Sequence, residues 1–163
     1  MATNKTPWRR NLEGAAEPLE VLMPVDAGAS YAIKKGEICQ VGINTASRPA
    51  PVTAASDSTQ LVVAAQEQKA DDVARFIRFQ VPRPGDVFEF TLSASRAVVL
   101  GETLAISDSQ TLAYATSNVI ARIASDHNCP EPEDKSVTRR SISYAEVMFD
   151  ETASYFSELT GNS

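Results

Sequence analysis

From Val87 to Leu92 the chain sets Phe88, Phe90 and Leu92 against Glu89 and Thr91. A period of two puts one face of a strand in a core and the other toward polar surroundings. Leu61-Val62-Val63-Ala64-Ala65 is apolar throughout and bounded by polar residues, the pattern of a buried strand. Shorter β-prone runs cover Leu19 to Val25, Tyr31 to Ile33, Ile38 to Ile43 and Asn118 to Ala124. Val73 to Val81 reads as a strand of imperfect alternation, with Arg75, Arg78 and Gln80 as its polar positions. Thr103 to Ile106 and Thr111 to Tyr114 flank Ser107-Asp108-Ser109-Gln110, a hairpin turn. Order resumes from Val137 to Phe149, where Ile142 and Tyr144 alternate with Ser141, Ser143 and Ala145. Residues 26–30, 44–59, 66–72 and 125–135 are polar or turn-forming and read as connections. Frequent turns between short strands predict a mainly β fold, a small barrel of hairpins, over a βαβ arrangement.

Three turns share one device, a glycine followed by an acid and then a β-prone run. They are Gly36-Glu37, Gly85-Asp86 and Gly101-Glu102. Glycine supplies a turn conformation that other residues adopt only with strain. The acids are expected to face solvent or to tie the turn to a backbone N–H. Ile33 and Val98 each stand three residues before the glycine, a weak internal repeat.

The ends differ from the middle. Residues 1–18 carry Trp8 as their only aromatic residue and read as a flexible N-terminal arm. Ordering against a neighbouring subunit, with Trp8 as anchor, is the alternative. Residues 19–149 form the barrel domain, and residues 150–163 an acidic, Ser-rich tail. Phe156 and Leu159, three apart, allow a short helix there.

At 163 residues and 43% hydrophobic composition the chain can bury the core of one domain. No apolar run approaches the ~20 residues that span a bilayer, and no signal core is visible at the start. A soluble, intracellular product with no membrane partner is expected. The net charge of −6, with basic residues only in scattered pairs, argues against nucleic acid as a partner.

Little in the chain carries chemistry. Cys39 lies in a predicted strand as a small hydrophobe, and Cys129 lies beside His127 in a loop. Adjacent loop residues rarely give the Cys–His geometry of a nucleophile and its base, so a surface loop with a free thiol is expected. Asp71-Asp72 and the acids Glu131, Glu133 and Asp134 lack a calcium-loop spacing. No metal, cofactor or catalytic residue is predicted.

The order of Ile33-Lys34-Lys35-Gly36-Glu37-Ile38, the loop through Thr53, Leu61 to Ala65, Pro84-Gly85-Asp86-Val87 and Val99-Leu100-Gly101-Glu102-Thr103-Leu104 resembles the capsid decoration (cement) proteins of tailed bacteriophages. The resemblance spans residues 19–124; the long stretch after Ser125 departs from it. It implies a noncatalytic β-barrel, often a homotrimer, made in the host cytoplasm. Such a protein sits on the outer surface of the virion and stabilises the mature shell through its major capsid protein. It also implies the three turns as barrel corners and the arm before Leu19 as the shell-contacting segment, with Thr6, Trp8, Arg9 and Arg10 as its candidates. Two alternatives remain. One is a noncatalytic module for carbohydrate or a host surface, using a Trp8–Tyr31 platform. The other is a thiol-dependent enzyme using Cys129 and His127.

Overall fold

The computed structural model describes residues 6–25, 32–42, 48–69, 76–127, 129–130 and 132–160. The turn at 26–30, Tyr31, Ile43, Asp71-Asp72, residues 73–75, Asn128 and Glu131 lie outside the described residues.

The fold is mainly β, in two sheets. The chain runs through β1 (Trp8–Asn11), β2 (Glu20–Pro24), β3 (Ile38–Gln40), β4 (Ala50–Pro51), β5 (Leu61–Ala64) and β6 (Phe76–Gln80). It continues through β7 (Asp86–Arg96), β8 (Thr103–Asp108), β9 (Thr111–Tyr114), β10 (Ala121–Ser125) and β11 (Ile142–Phe149). A single 3₁₀ turn at Glu151–Ala153 then leads to the short helix α1 (Phe156–Leu159).

In the first sheet the order is β1-β7-β11-β10-β8-β9, and β9 pairs back onto β7. That last pairing closes β7, β11, β10, β8 and β9 into a barrel with β1 attached. The closing pair is parallel, Thr91 opposite Thr111 and Leu92 opposite Leu112; the other ladders are antiparallel. Closure removes the exposed edges that an open sheet would leave. Phe88, Phe90 and Phe149 meet in the barrel core, with Phe88 and Phe149 edge to face at 5.4 Å between centroids.

The second sheet has the order β2-β6-β5-β3-β4. β5 explains its own unbroken apolar sequence. Leu61 and Val63 enter the barrel-side core, while Val62 and Ala64 enter a second core with Ile33, Cys39, Ile77 and Phe79. Tyr155 and Phe156 at the start of the C-terminal helix cover that second core. The short helix that the spacing of Phe156 and Leu159 allows is thus present, and packing on the second core holds its start.

The three glycine turns share more geometry than their sequences disclose. Gly36, Gly85 and Gly101 have φ of +92°, +84° and +86°. Each following acid donates its N–H to the carbonyl three residues earlier: Glu37 to Lys34, Asp86 to Arg83, Glu102 to Val99. This is the type II turn, which requires positive φ at its third residue. Gly85 and Gly101 lead into the barrel strands β7 and β8. Gly36 does not, a correction to its expected place as a barrel corner. It leads into β3, whose apolar residues pair with β5, so the second sheet takes it.

The glycines differ in their surroundings. A Cβ at Gly85 would stand 3.0 Å from Glu13 Cγ and 3.3 Å from Glu13 N, whereas one at Gly101 meets nothing within 4 Å. Gly101→Ala is expected to cost the left-handed strain alone, about 1–2 kcal/mol. Gly85→Ala should cost more, because the chain after β1 must also shift. Urea unfolding of the two variants checks the order; equal losses would remove the contact with Glu13 from the account.

Candidate functional site

Part of the stretch read as a flexible arm is built into the barrel. β1 runs antiparallel to β7, pairing Trp8 with Phe88, Arg10 with Val87 and Asn11 with Asp86, with an irregularity between Trp8 and Arg10. The arm expectation is corrected over these residues, and the reason is Asp86. This acid is 1% exposed, and its two oxygens gather four groups. Trp8 Nε1 and Asn11 Nδ2 each donate to Oδ1 at 2.9 Å. Arg83 donates its backbone N–H at 2.8 Å and its Nε at 3.0 Å to Oδ2. Burial pushes the Asp86 carboxyl up, but the hydrogen bonds from Arg83, Trp8 and Asn11 outweigh it, and its pKa lies below the ordinary value. Trp8 therefore spends its one donor within its own chain and packs its ring on the barrel core.

The acids of the other two turns have different fates. Glu37 is also buried, and its Oε1 accepts the Lys34 N–H at 3.3 Å, the backbone tie expected of it. Burial raises its pKa, and hydrogen bonds from Ser109, Lys34 and Gln110 oppose that rise in part. Glu102 is half-exposed and pairs with Arg96 at 2.8 Å, whose guanidinium lies 3.8 Å over the Tyr114 ring.

Arg10 makes a second attachment. Its guanidinium meets Glu146, a buried acid in β11 that gave no sign of itself in the sequence. Glu146 Oε1 lies 3.1 Å from His127 Nδ1, and Ser125 Oγ approaches the same nitrogen. In a serine triad the hydroxyl and the acid engage opposite ring nitrogens, so that a proton can cross the imidazole. Here both face Nδ1, and no such relay is formed.

Cys129 and His127 are not brought together as a thiol pair. The cysteine is fully buried in the barrel-side core, with Sγ 2.9 Å from the Arg140 carbonyl. The expected exposed thiol is corrected: the 126–141 connection folds this side chain under the barrel, where a small hydrophobe packs well. Native Cys129 is expected to resist thiol reagents and to react on unfolding, a difference that mass-detected labelling with and without urea reads directly. Rapid native labelling would put the thiol back on the surface. Cys39 is buried as well, and burial pushes its thiol well above the ordinary value.

Thr6, Trp8 and Arg9 line a cleft of about 430 Å³ together with Glu20, Lys35, Ala65, Arg78 and Gln80. The cleft lies between the N-terminal strand on the barrel and the β2–β6 part of the second sheet. Thr6, Trp8, Arg9 and Arg10 are therefore not one surface: the first three meet this cleft, and Arg10 joins Glu146. Among the described residues no cluster of His, Cys, Asp and Glu could hold a metal ion. Glu133 and Asp134 are exposed, and Asp134 accepts from the backbone N–H and hydroxyl of Ser136. No described helix is long and apolar enough to cross a membrane.

No family model, curated protein or solved structure matches the chain.

Proposed function

We propose that this chain is a structural protein that decorates the outside of a tailed-phage capsid as a homotrimer and stabilises the mature shell. The observation that carries the reading is the distribution of large apolar side chains left in solvent. Leu22 and Phe76 are 64% and 65% exposed on the second sheet, one diagonal step apart across the β2–β6 ladder. Val99 and Leu100 are exposed in the turn between β7 and β8, on the barrel. Paired apolar exposure on two separate sheets suits a protein wedged among several neighbours. Weak contacts made at once to several subunits gain from effective concentration. The major capsid protein is the partner in this reading, and the virion surface the location.

Light scattering is expected to give a trimer, and the chain should co-sediment with expanded shells. A stable monomer that ignores such shells would sink the reading. Deleting residues 1–18 would also remove β1, so the N-terminal contact is better tested by Arg9→Glu, which leaves the Trp8–Asp86 bond in place.

The glycan alternative gains nothing from Trp8, whose N–H is held by Asp86.

A further inference from the structure

The cleft between the two sheets is lined by polar and charged groups, and an exposed apolar face continues from it. Along β6, Ile77 and Phe79 enter the second core, so Phe76, Arg78 and Gln80 share the opposite face. Gln80 stands opposite Val63, which is in the barrel-side core, so this face looks toward the barrel. Past Gln80 the barrel no longer covers it. Leu22, opposite Arg78, and Pro24, opposite Phe76, extend the same uncovered face along β2.

Two observations give the cleft its preference. Gln80 is 2% exposed, and its Nε2 donates to Thr6 Oγ1 at 3.0 Å, yet its Oε1 is buried with no donor among the described residues. A buried carbonyl left without a donor is costly, and that cost is relieved if the Gln80 side chain turns into the cleft to meet an incoming N–H. The rim is also cationic. Arg9 pairs with Glu89 at 3.6 Å, which leaves Lys35 and Arg78 against Glu20, two positive charges to one negative, in a chain whose net charge is −6. The Lys35 ammonium and the Arg78 guanidinium have no partner among the described residues.

We infer that this cleft binds an extended acidic segment of another protein. Backbone N–H groups of the segment serve Gln80 Oε1, its carboxylates pair with Arg78 and Lys35, and alternate apolar side chains cover Leu22 and Phe76. Strand geometry permits this, since side chains two apart on one face repeat at about 6–7 Å. β1 and β2 are both edge strands and flank the cleft, so either offers backbone groups to such a segment. A second copy of this chain is a poorer occupant. Its acidic stretch from Asp150 is folded on its own body, with Asp150 held by Arg122 at 3.1 Å and Phe156 packed on the second core.

The test uses the full chain and a fluorescein-labelled peptide alternating glutamate and valine, followed by anisotropy. Saturable binding that weakens with salt is expected, with no binding of the matching lysine–valine peptide. Arg78→Glu reverses one exposed charge and should weaken binding about tenfold or more, while the thermal midpoint stays unchanged. Leu22→Ala should weaken it by a smaller factor. Failure of the acidic peptide to bind, equal binding of the lysine peptide, or indifference to Arg78→Glu would each overturn the inference. So would self-association that Arg78→Glu abolishes, which would make a second copy the occupant. The peptide assay needs no shell, so its failure and a failure of shell binding are read separately.

Discussion

A chain ending at Ser125 is expected not to fold. The cut removes β11, which lies between β7 and β10 and pairs with both. Ile142, Ala145, Val147 and Phe149 leave the barrel core with it, and Tyr155 and Phe156 leave the second core. The barrel would open along two edges, and the lost burial is comparable to the whole stability of an ordinary domain, about 5–15 kcal/mol. Circular dichroism and a urea titration should show no cooperative transition for the shortened chain. Phe149→Ala gives a graded version, expected to lose about 3–5 kcal/mol while retaining the fold. A shortened chain that unfolds cooperatively, with the full chain's midpoint, would show that the barrel closes without its last strand.

Asp86→Ala should produce the largest loss of any single polar substitution. It strands the Trp8 indole N–H, the Asn11 amide and the Arg83 guanidinium, groups that now converge on one buried carboxylate. Removing one partner of a buried charged pair typically costs about 3–5 kcal/mol. β1 should loosen first, so hydrogen exchange at residues 8–11 should accelerate beyond the global change. The pH dependence follows from the sign of the shift. The folded-state pKa of Asp86 lies below 3.8, so its contribution is fully present above that value and fades as pH falls through the folded one. In Asp86→Asn this part of the acid-side loss should be missing. Wild type and Asp86→Asn losing stability in parallel below pH 4 would detach the carboxylate from the effect.

The strands that the sequence disclosed are those whose pattern is local. Phe88, Phe90 and Leu92 alternate because β7 is buried on one face, and Leu61 to Ala64 do not because β5 is buried on both. Pro84-Gly85-Asp86 announces its turn because type II geometry asks for proline and glycine at those places. The spacing of Phe156 and Leu159 allows helix α1, but its packing on the second core is what holds it. β1 was not visible, since Arg9, Arg10 and Asn11 have no β pattern; a long-range carboxylate holds it. β4 was missed within 44–59 because two residues, Ala50 and Pro51, are too few to show a period. Glu146 was hidden because an acid in a strand looks like a solvent-facing position until its partners, Arg10 and His127, are known.

By itself, then, the sequence determined a mainly β chain, its glycine turns with positive φ, and a core large enough for one body. These follow from backbone sterics and from burial periodicity, which act over a few residues. Only the tertiary structure decided that the region after Ser125 closes the barrel, that Asp86 gathers the N-terminal strand, and that Gly36 serves the second sheet. It alone brought Thr6, Arg9, Lys35, Arg78 and Gln80 to one cleft. Those outcomes depend on groups many residues apart finding one another, and the free energy of such meetings is set by packing and desolvation that no local pattern encodes.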